Sequence, residues 1–274
     1  MTPIRAIRAH YREEALRRRV NPRDVDLLLA DVLRQPITSI LAHDEKEIAA
    51  GALESFRRQI ERRFEGEPLQ YIRGKTEFFG RDFIVDDRVL IPRPETELLV
   101  EAALELAPRG ARLLDVGTGT GCVAISLAKE RADLSVVGSD RSMAALAVAR
   151  RNRITLDATL HLVAADLAHG FRGRFDLVVS NPPYIPEHEL ASLQTEVRDH
   201  EPRGALSPGA DPLAIIERLL IETIEILDSG ASLLFEIGYG QQAAVTERAE
   251  KHGWNVTGVH RDLAGIPRVV VAGR

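Results

Sequence analysis

The chain has 274 residues, the length of about two domains at roughly 150 residues each, and 45% of them are apolar, enough for an ordinary core. No apolar run reaches the roughly 18 residues of a membrane span, the start MTPIRAIRAHYREE lacks the apolar stretch of a secretory signal, and the single cysteine, Cys122, excludes an intrachain disulfide, so a cytoplasmic protein is expected. Net charge is −5, with 15 Lys and Arg against 12 Asp and Glu in residues 1–75 and 21 against 29 beyond; the larger part lacks the basic footprint of a duplex DNA binder.

Residues 1–73 read as a small helical domain. Asp24 to Leu33 is apolar at helical spacing behind the start signal Asn21-Pro22, and Pro36 ends it. Asp44 is expected to open a charged helix reaching Phe64, with Ile48, Leu53, Phe56, Ile60 and Phe64 on one stripe. Residues 74–92 read as a hairpin linker: Phe78-Phe79-Gly80-Arg81-Asp82-Phe83 has the pattern of two short strands about a turn. Pro92 and Pro94 then break regular structure, and Thr96 and Glu97 lead into an apolar helix, Leu98 to Leu106.

From Arg112 onward strands and helices alternate, which predicts an α/β domain with a parallel sheet over residues 93–274. The expected strands are 112–116, 135–139, 160–164, 175–180 and 232–237, with helices at 123–129 and 143–152 between them. Residues 254–260 and 268–272 read as a closing pair of strands.

LLDVGTGTGCVAISLA has the order strand, glycine loop, helix. Gly117, Gly119 and Gly121 permit a tight turn and close approach of a ligand to the backbone. A dinucleotide fold prefers G-x-G-x-x-G, whereas the spacing here is G-x-G-x-G, which suits a cofactor without a pyrophosphate, such as S-adenosylmethionine. The alternative is a plain strand-to-helix turn. Asp140 ends the next strand, about 20 residues past the loop, where an acid accepts from both ribose hydroxyls; the alternative is a helix N-cap. Asp166 and Leu167 end the third strand on the nucleotide side, or form an ordinary turn.

After the fourth strand stands Asn181-Pro182-Pro183-Tyr184, at the edge where a parallel sheet presents ligands. Two prolines fix the backbone and remove two N–H donors, leaving carbonyl acceptors; the Asn181 side-chain oxygen is another, and Tyr184 supplies a flat face. Acceptors with a flat face suit a planar –NH₂ group. An amide nitrogen is a poor nucleophile, because the resonance behind the peptide rotation barrier of about 18–20 kcal/mol holds its lone pair. Acceptors on both of its hydrogens aim that lone pair, and they bind hardest as positive charge builds on nitrogen. Such chemistry needs no metal, and the sequence has no Cys/His metal spacing.

The chain closely resembles the HemK/PrmC family of peptide-chain release factor glutamine N5-methyltransferases, in GEPLQYIRGKTEFFG, LIPRPETELLVE, DVGTGTG, VSNPPYI, EVRDHEPRGAL and the terminal DLAGIPRVV. The resemblance implies a Rossmann-like S-adenosylmethionine-dependent methyltransferase domain behind a small N-terminal helical domain that recognises the substrate protein. The implied partners are class I release factors, methylated on the glutamine of their Gly-Gly-Gln motif, without a membrane or sequence-specific nucleic acid. Carried onto matching positions, Gly117, Thr118, Gly119, Thr120, Gly121, Asp140, Leu167 and Asn181 are expected to bind the cofactor. Asn181, Pro182, Pro183 and Tyr184 are expected to hold the glutamine amide, with Asn181, Pro182 and Tyr184 acting in catalysis. Leu167 departs from the tryptophan common in the family, so aliphatic packing replaces stacking on adenine.

Asn-Pro-Pro-Tyr also occurs in adenine N6-methyltransferases acting on DNA or RNA, a competing reading that would require base flipping. The acidic catalytic part and IPRPETE argue against it. A binding module with a degenerate cofactor site is the other alternative; the intact glycine loop, Asp140 and Asn181 argue against that. Arg93 and Glu95 either close the site or make an ordinary helix start. Glu196, Arg198 and Glu201 lie in a long polar connection, where solvated charge is the commoner explanation. Cys122 is expected to pack at a helix start rather than react.

Overall fold

The computed structural model describes residues 2–274. The chain divides into two compact units, one of residues up to Gly74 with Gln194–His200, the other of Lys75–Leu193 and Glu201–Arg274.

The first unit is helical. Helices Ile4–Arg17, Arg23–Leu33 and Ala50–Phe64 enclose Ile7, Val25, Leu28, Leu29, Phe56 and Ile60. Asn21 marks a helix start as expected: its Oδ1 accepts from Arg23 N at 3.0 Å. The helix expected from Asp44 begins instead at Ala50. The reason lies at the other end of the chain. A helix leaves its first N–H groups without partners, and in Ile4–Arg17 two of them find acceptors in residues 44–46: Ile4 N donates to Lys46 O (2.9 Å) and Arg5 N to Asp44 O (2.7 Å). That docking holds the following residues extended, so β1 (Thr2–Pro3) pairs antiparallel with β2 (Glu47–Ile48), and Ile48 is buried from a strand rather than a helix stripe. Within the same unit Arg63, only 6% exposed, donates to Asp24 Oδ2 at 2.7 Å and to Glu196 Oε1 at 2.5 Å. Segment 194–200 belongs to this unit, and Arg63 holds it there at Glu196.

The second unit opens with a hairpin, β3 (Lys75–Phe78) and β4 (Arg81–Ile84), turning at Phe79-Gly80, both at positive φ. Among the described residues its main sheet has seven strands: β5 (Arg112–Val116), β6 (Ser135–Asp140), β7 (His161–Ala164), β8 (Phe175–Ser180), β9 (Leu227–Glu236), β10 (Asn255–Arg261) and β11 (Pro267–Gly273). The spatial order is β10-β11-β9-β8-β5-β6-β7; the five strands from β9 to β7 run parallel, and β11 and β10 close the edge antiparallel. Alternate residues feed two cores. Leu113, Leu177, Val179 and Leu234 face the helices Glu97–Leu106 and Cys122–Glu130, with Phe78 and Phe83 of the hairpin packed there too. Leu114, Val116, Val178, Leu233 and Phe235 face Ala214–Thr223 and Gln242–Lys251. Strands buried on both faces read as continuous apolar runs, which made β5 and β8 recognisable.

This is the Rossmann-like α/β sheet that the sequence implies. The chain order turns back between β5 and β8, and in such sheets the crevice beyond the carboxyl ends at that turning point takes ligands.

Candidate active site

The register of the sheet assembles the site. Val116 lies opposite Ser139 on one side and Ser180 on the other, so the glycine loop after β5 emerges between Asp140 and Asn181. Gly117 N and Thr118 N both donate to Ser139 O at 2.8 Å, docking the loop on β6. Gly138 makes that docking possible: a Cβ there would meet Thr118 Oγ1 at 2.9 Å. At Gly117 φ is +76° and nothing lies within 4 Å of where a Cβ would stand, so the loop offers bare backbone to open space.

A cavity of about 320 Å³ opens there, at the small end of the roughly 300–1,000 Å³ of ligand sites. Its lining includes Gly117, Gly119, Asp140, Leu167, Asn181 and Pro182, and Pro183. Thr118 and Thr120 border a smaller adjoining recess of about 50 Å³, which Gly117, Gly119 and Asn181 share. Both threonines serve the loop itself: Thr118 Oγ1 donates to Asp115 Oδ2 (2.6 Å), and Thr120 Oγ1 accepts from Cys122 N (3.2 Å). Gly121 stands outside both spaces, starting the helix at φ +81° with Ile125 and Ala149 against it.

Asp140 has two duties. Its Oδ2 accepts from Gly119 N (2.9 Å) and its Oδ1 from Ser142 N (2.8 Å), which fixes both oxygens at the cavity wall. Each carboxylate oxygen has a further lone pair, so ribose hydroxyls can still be accepted. Capping of the next helix falls to Ser142, whose side chain accepts from Ala145 N at 3.2 Å. These residues fit S-adenosylmethionine: bare loop backbone, a fixed acid beside it, and the apolar Leu167 at the wall. Asp115, beneath the loop, also accepts from Ala124 N at 3.2 Å, and burial pushes its carboxyl up to about 7. Cys122 is buried at the helix start, and burial pushes its thiol up to about 12, far from reactivity.

Around Asn181 the structure reveals partners that sequence reasoning missed. Asn181 Nδ2 donates to Thr96 Oγ1 (3.0 Å), and Thr96 Oγ1 donates to Glu236 Oε2 (2.7 Å). The other oxygen, Oε1, accepts from Tyr184 OH at 3.0 Å. Glu236 is 1% exposed; burial pushes its carboxyl upward, against those two hydrogen bonds and the charge of Arg268. Burial and the neighbouring carboxylate push the Tyr184 phenol upward as well. Gln241 completes the cluster, donating from Nε2 to Tyr184 O (2.9 Å) and accepting from Gly238 N (2.8 Å). Tyr184 does not border the cavity space; its ring lies under Gly238, where a Cβ would come within 3.0 Å. Arg93 pairs with Glu201 at 2.6 Å, and Glu201 also accepts from Ile91 N (3.2 Å), so Glu201 is a buried anchor of the IPRPET segment rather than a solvated charge. Arg198 pairs with its exposed neighbour Asp199.

Comparison with known proteins sets this geometry in context. Residues 11–74 match the PrmC N-terminal domain and residues 94–201 the Methyltransferase small domain. A release factor glutamine methyltransferase of Koribacter versatilis is 44% identical over 250 residues, spanning 90% of this chain and 89% of that one. The chain belongs to the release factor glutamine methyltransferase family. Another member, from Nitratidesulfovibrio vulgaris, is 45% identical over 226 residues, 80% of this chain and 77% of its own. The fold extends further: a methyltransferase structure from Pyrococcus furiosus superposes with a TM-score of 0.54 at 17% identity, over 79% of this chain and 99% of that one. In this family member the cluster around Glu236 was hidden because its residues lie in three distant stretches. The one available signal was the run FEIGYGQ at the end of β9, an acid closing an apolar strand.

Proposed function

We propose that this protein transfers a methyl group from S-adenosylmethionine to the side-chain amide nitrogen (N5) of the glutamine in the Gly-Gly-Gln motif of class I release factors, acting in the cytoplasm in support of translation termination. One observation carries the reading. Asn181 stands beside the glycine loop with its Nδ2 already committed to Thr96, which leaves Oδ1 as the end that accepts. Family membership names the same chemistry in the relatives.

S-adenosylmethionine, when bound, supplies an electrophilic methyl group on a sulfonium. Gly117 and Gly119 would give it close backbone contact, Thr118, Thr120 and Gly121 hold the loop in shape, Asp140 would accept the ribose hydroxyls, and Leu167 would pack on the adenine. Asn181 Oδ1 and the Pro182 carbonyl accept the two hydrogens of the glutamine amide, Pro183 stiffens that backbone, and Tyr184 supports it from beneath. The amide nitrogen then has its lone pair aimed away from both acceptors. As its bond to the methyl carbon forms and the methyl–sulfur bond breaks, with that electron pair leaving on sulfur as a neutral thioether, positive charge grows on nitrogen and both hydrogen bonds strengthen, which lowers the barrier. The cation is strongly acidic and sheds one proton to water, leaving the neutral N5-methyl amide. The first unit, residues up to about 73, recognises the body of the release factor, because a glutamine side chain is too small to select one protein.

Asn181→Ala tests the reading. Losing an acceptor that tightens in the transition state costs about 1–3 kcal/mol, roughly five- to 150-fold in turnover. Turnover at saturating cofactor should fall by that factor while cofactor affinity changes far less. Near-normal turnover would contradict it.

A further inference from the structure

Asn181 can serve as an acceptor only if its carboxamide is held one way round. The two ends of such a group have the same shape, and rotation by half a turn would present an –NH₂ to the incoming amide –NH₂. The cluster behind Asn181 contains what is needed to prevent this.

Glu236, buried at the end of β9, is joined to β8 by a register that sets Ser180 opposite Phe235, so Asn181 and Glu236 leave adjacent strands side by side. Both Glu236 oxygens act as acceptors, one facing the Thr96 hydroxyl and the other the Tyr184 hydroxyl. Thr96 has one hydroxyl proton, and Glu236 Oε2 at 2.7 Å takes it. The Thr96 oxygen can then only accept from Asn181, which requires Nδ2, not Oδ1, to point inward at 3.0 Å. The second oxygen of Glu236 takes the Tyr184 hydroxyl at 3.0 Å, fixing the other end of the Asn-Pro-Pro-Tyr segment. Directionality passes from carboxylate to hydroxyl to carboxamide, and the chain ends in an acceptor at the cavity.

We infer that Glu236 and Thr96 are positioning residues that set the polarity of Asn181, so that its oxygen rather than its nitrogen meets the amide to be methylated. The inference rests on the proposed function, since the acceptor matters because the substrate nitrogen brings two hydrogens. Neither residue touches the reacting atoms. Their effect is to keep Asn181 in the productive one of two orientations, and pre-organisation of this kind acts on turnover more than on cofactor binding.

Thr96→Val and Thr96→Ser separate polarity from packing. Valine keeps the branched shape and removes the hydroxyl; serine keeps the hydroxyl. The measurements are kcat and KM for methyl transfer to an intact class I release factor, with the methylated residue mapped, and the S-adenosylmethionine Kd. Thr96→Val should lose at least about tenfold in kcat, with KM and the cofactor Kd within about twofold of wild type, and Thr96→Ser should recover most of the loss. Glu236→Gln, which presents a donor at one end of the cluster, should reproduce the kcat loss with the cofactor still bound. Equal kcat for the valine and serine variants, or wild-type kcat in a cofactor-binding Glu236→Gln protein, would overturn the inference while leaving the proposed function standing. Wild-type protein that leaves the release-factor glutamine unmethylated would overturn the proposed function itself, and the inference with it.

Discussion

At Leu167 the backbone is left-handed, φ +50°, and the side chain packs partly against the sheet core while bordering the cavity. A residue held in that conformation is fixed by its surroundings, so its side chain presents a defined face. Leu167→Trp should enlarge that face and tighten S-adenosylmethionine binding by about 1 kcal/mol, the scale of an aromatic contact beyond its area. Calorimetry checks this; weaker binding would show a wall shaped to leucine. Asp140 and Asn181 were legible as candidates in the sequence because Asp140 ends one apolar strand and Asn181 follows another, in the alternating pattern of a parallel sheet. Glu236 and Thr96 were not, because their meeting depends on which strands are neighbours. Nor did the sequence indicate that Glu201 is buried, since acids in a polar stretch ordinarily face water.

At the scale of elements, the glycine loop is held by groups beneath it. Asn152, fully buried in the helix Met143–Thr155, donates to Thr120 O (2.9 Å) and Ile84 O (3.0 Å) and accepts from Ile84 N (2.7 Å), tying the loop to the hairpin. Asp115 holds Thr118 and Ala124 through a single oxygen. Burial moves this carboxyl from its ordinary 3.8 to about 7, so the folded chain binds the proton more tightly than the unfolded one. Its contribution to stability therefore falls as pH rises through that window. Asp115→Asn can keep both bonds and removes the titration. Its melting temperature relative to wild type should rise between about pH 5 and about pH 8; a difference constant with pH would contradict this. The hairpin and the strands of this unit were legible from turn residues and apolar runs. The helix start at Ala50 was not, because Asp44 and Lys46 accept from the N–H groups of Arg5 and Ile4, and Glu47–Ile48 pair with Thr2–Pro3, at the far end of this unit's sequence.

For the molecule as a whole, the proposed division of labour follows the two units. Gln194–His200, from the long connection after Tyr184, packs with the helical unit, where Glu196 accepts from Arg63. Cutting the chain near residue 74 would strip that segment of its partners, so charge removal on the intact chain is the cleaner probe of recognition. Arg5, Arg57 and Arg58 are exposed on the helical unit, which carries the chain's positive balance. Replacing all three with Gln should lower kcat/KM on an intact release factor several-fold, and more so at low salt, as charges at a recognition rim do. Activity on a short Gly-Gly-Gln peptide should stay within about twofold. Equal losses on both substrates would contradict recognition by that surface.

The central claim is that the Asn181 oxygen, beside the glycine loop, receives a glutamine amide. Incubating the purified protein with S-adenosylmethionine and an intact class I release factor, then mapping the product by fragmentation mass spectrometry, tests it most directly. One methyl group on the side-chain nitrogen of the Gly-Gly-Gln glutamine, formed roughly five- to 150-fold more slowly with Asn181→Ala, is the predicted result. A methyl group on another residue, or transfer only to adenine in an oligonucleotide, would contradict it.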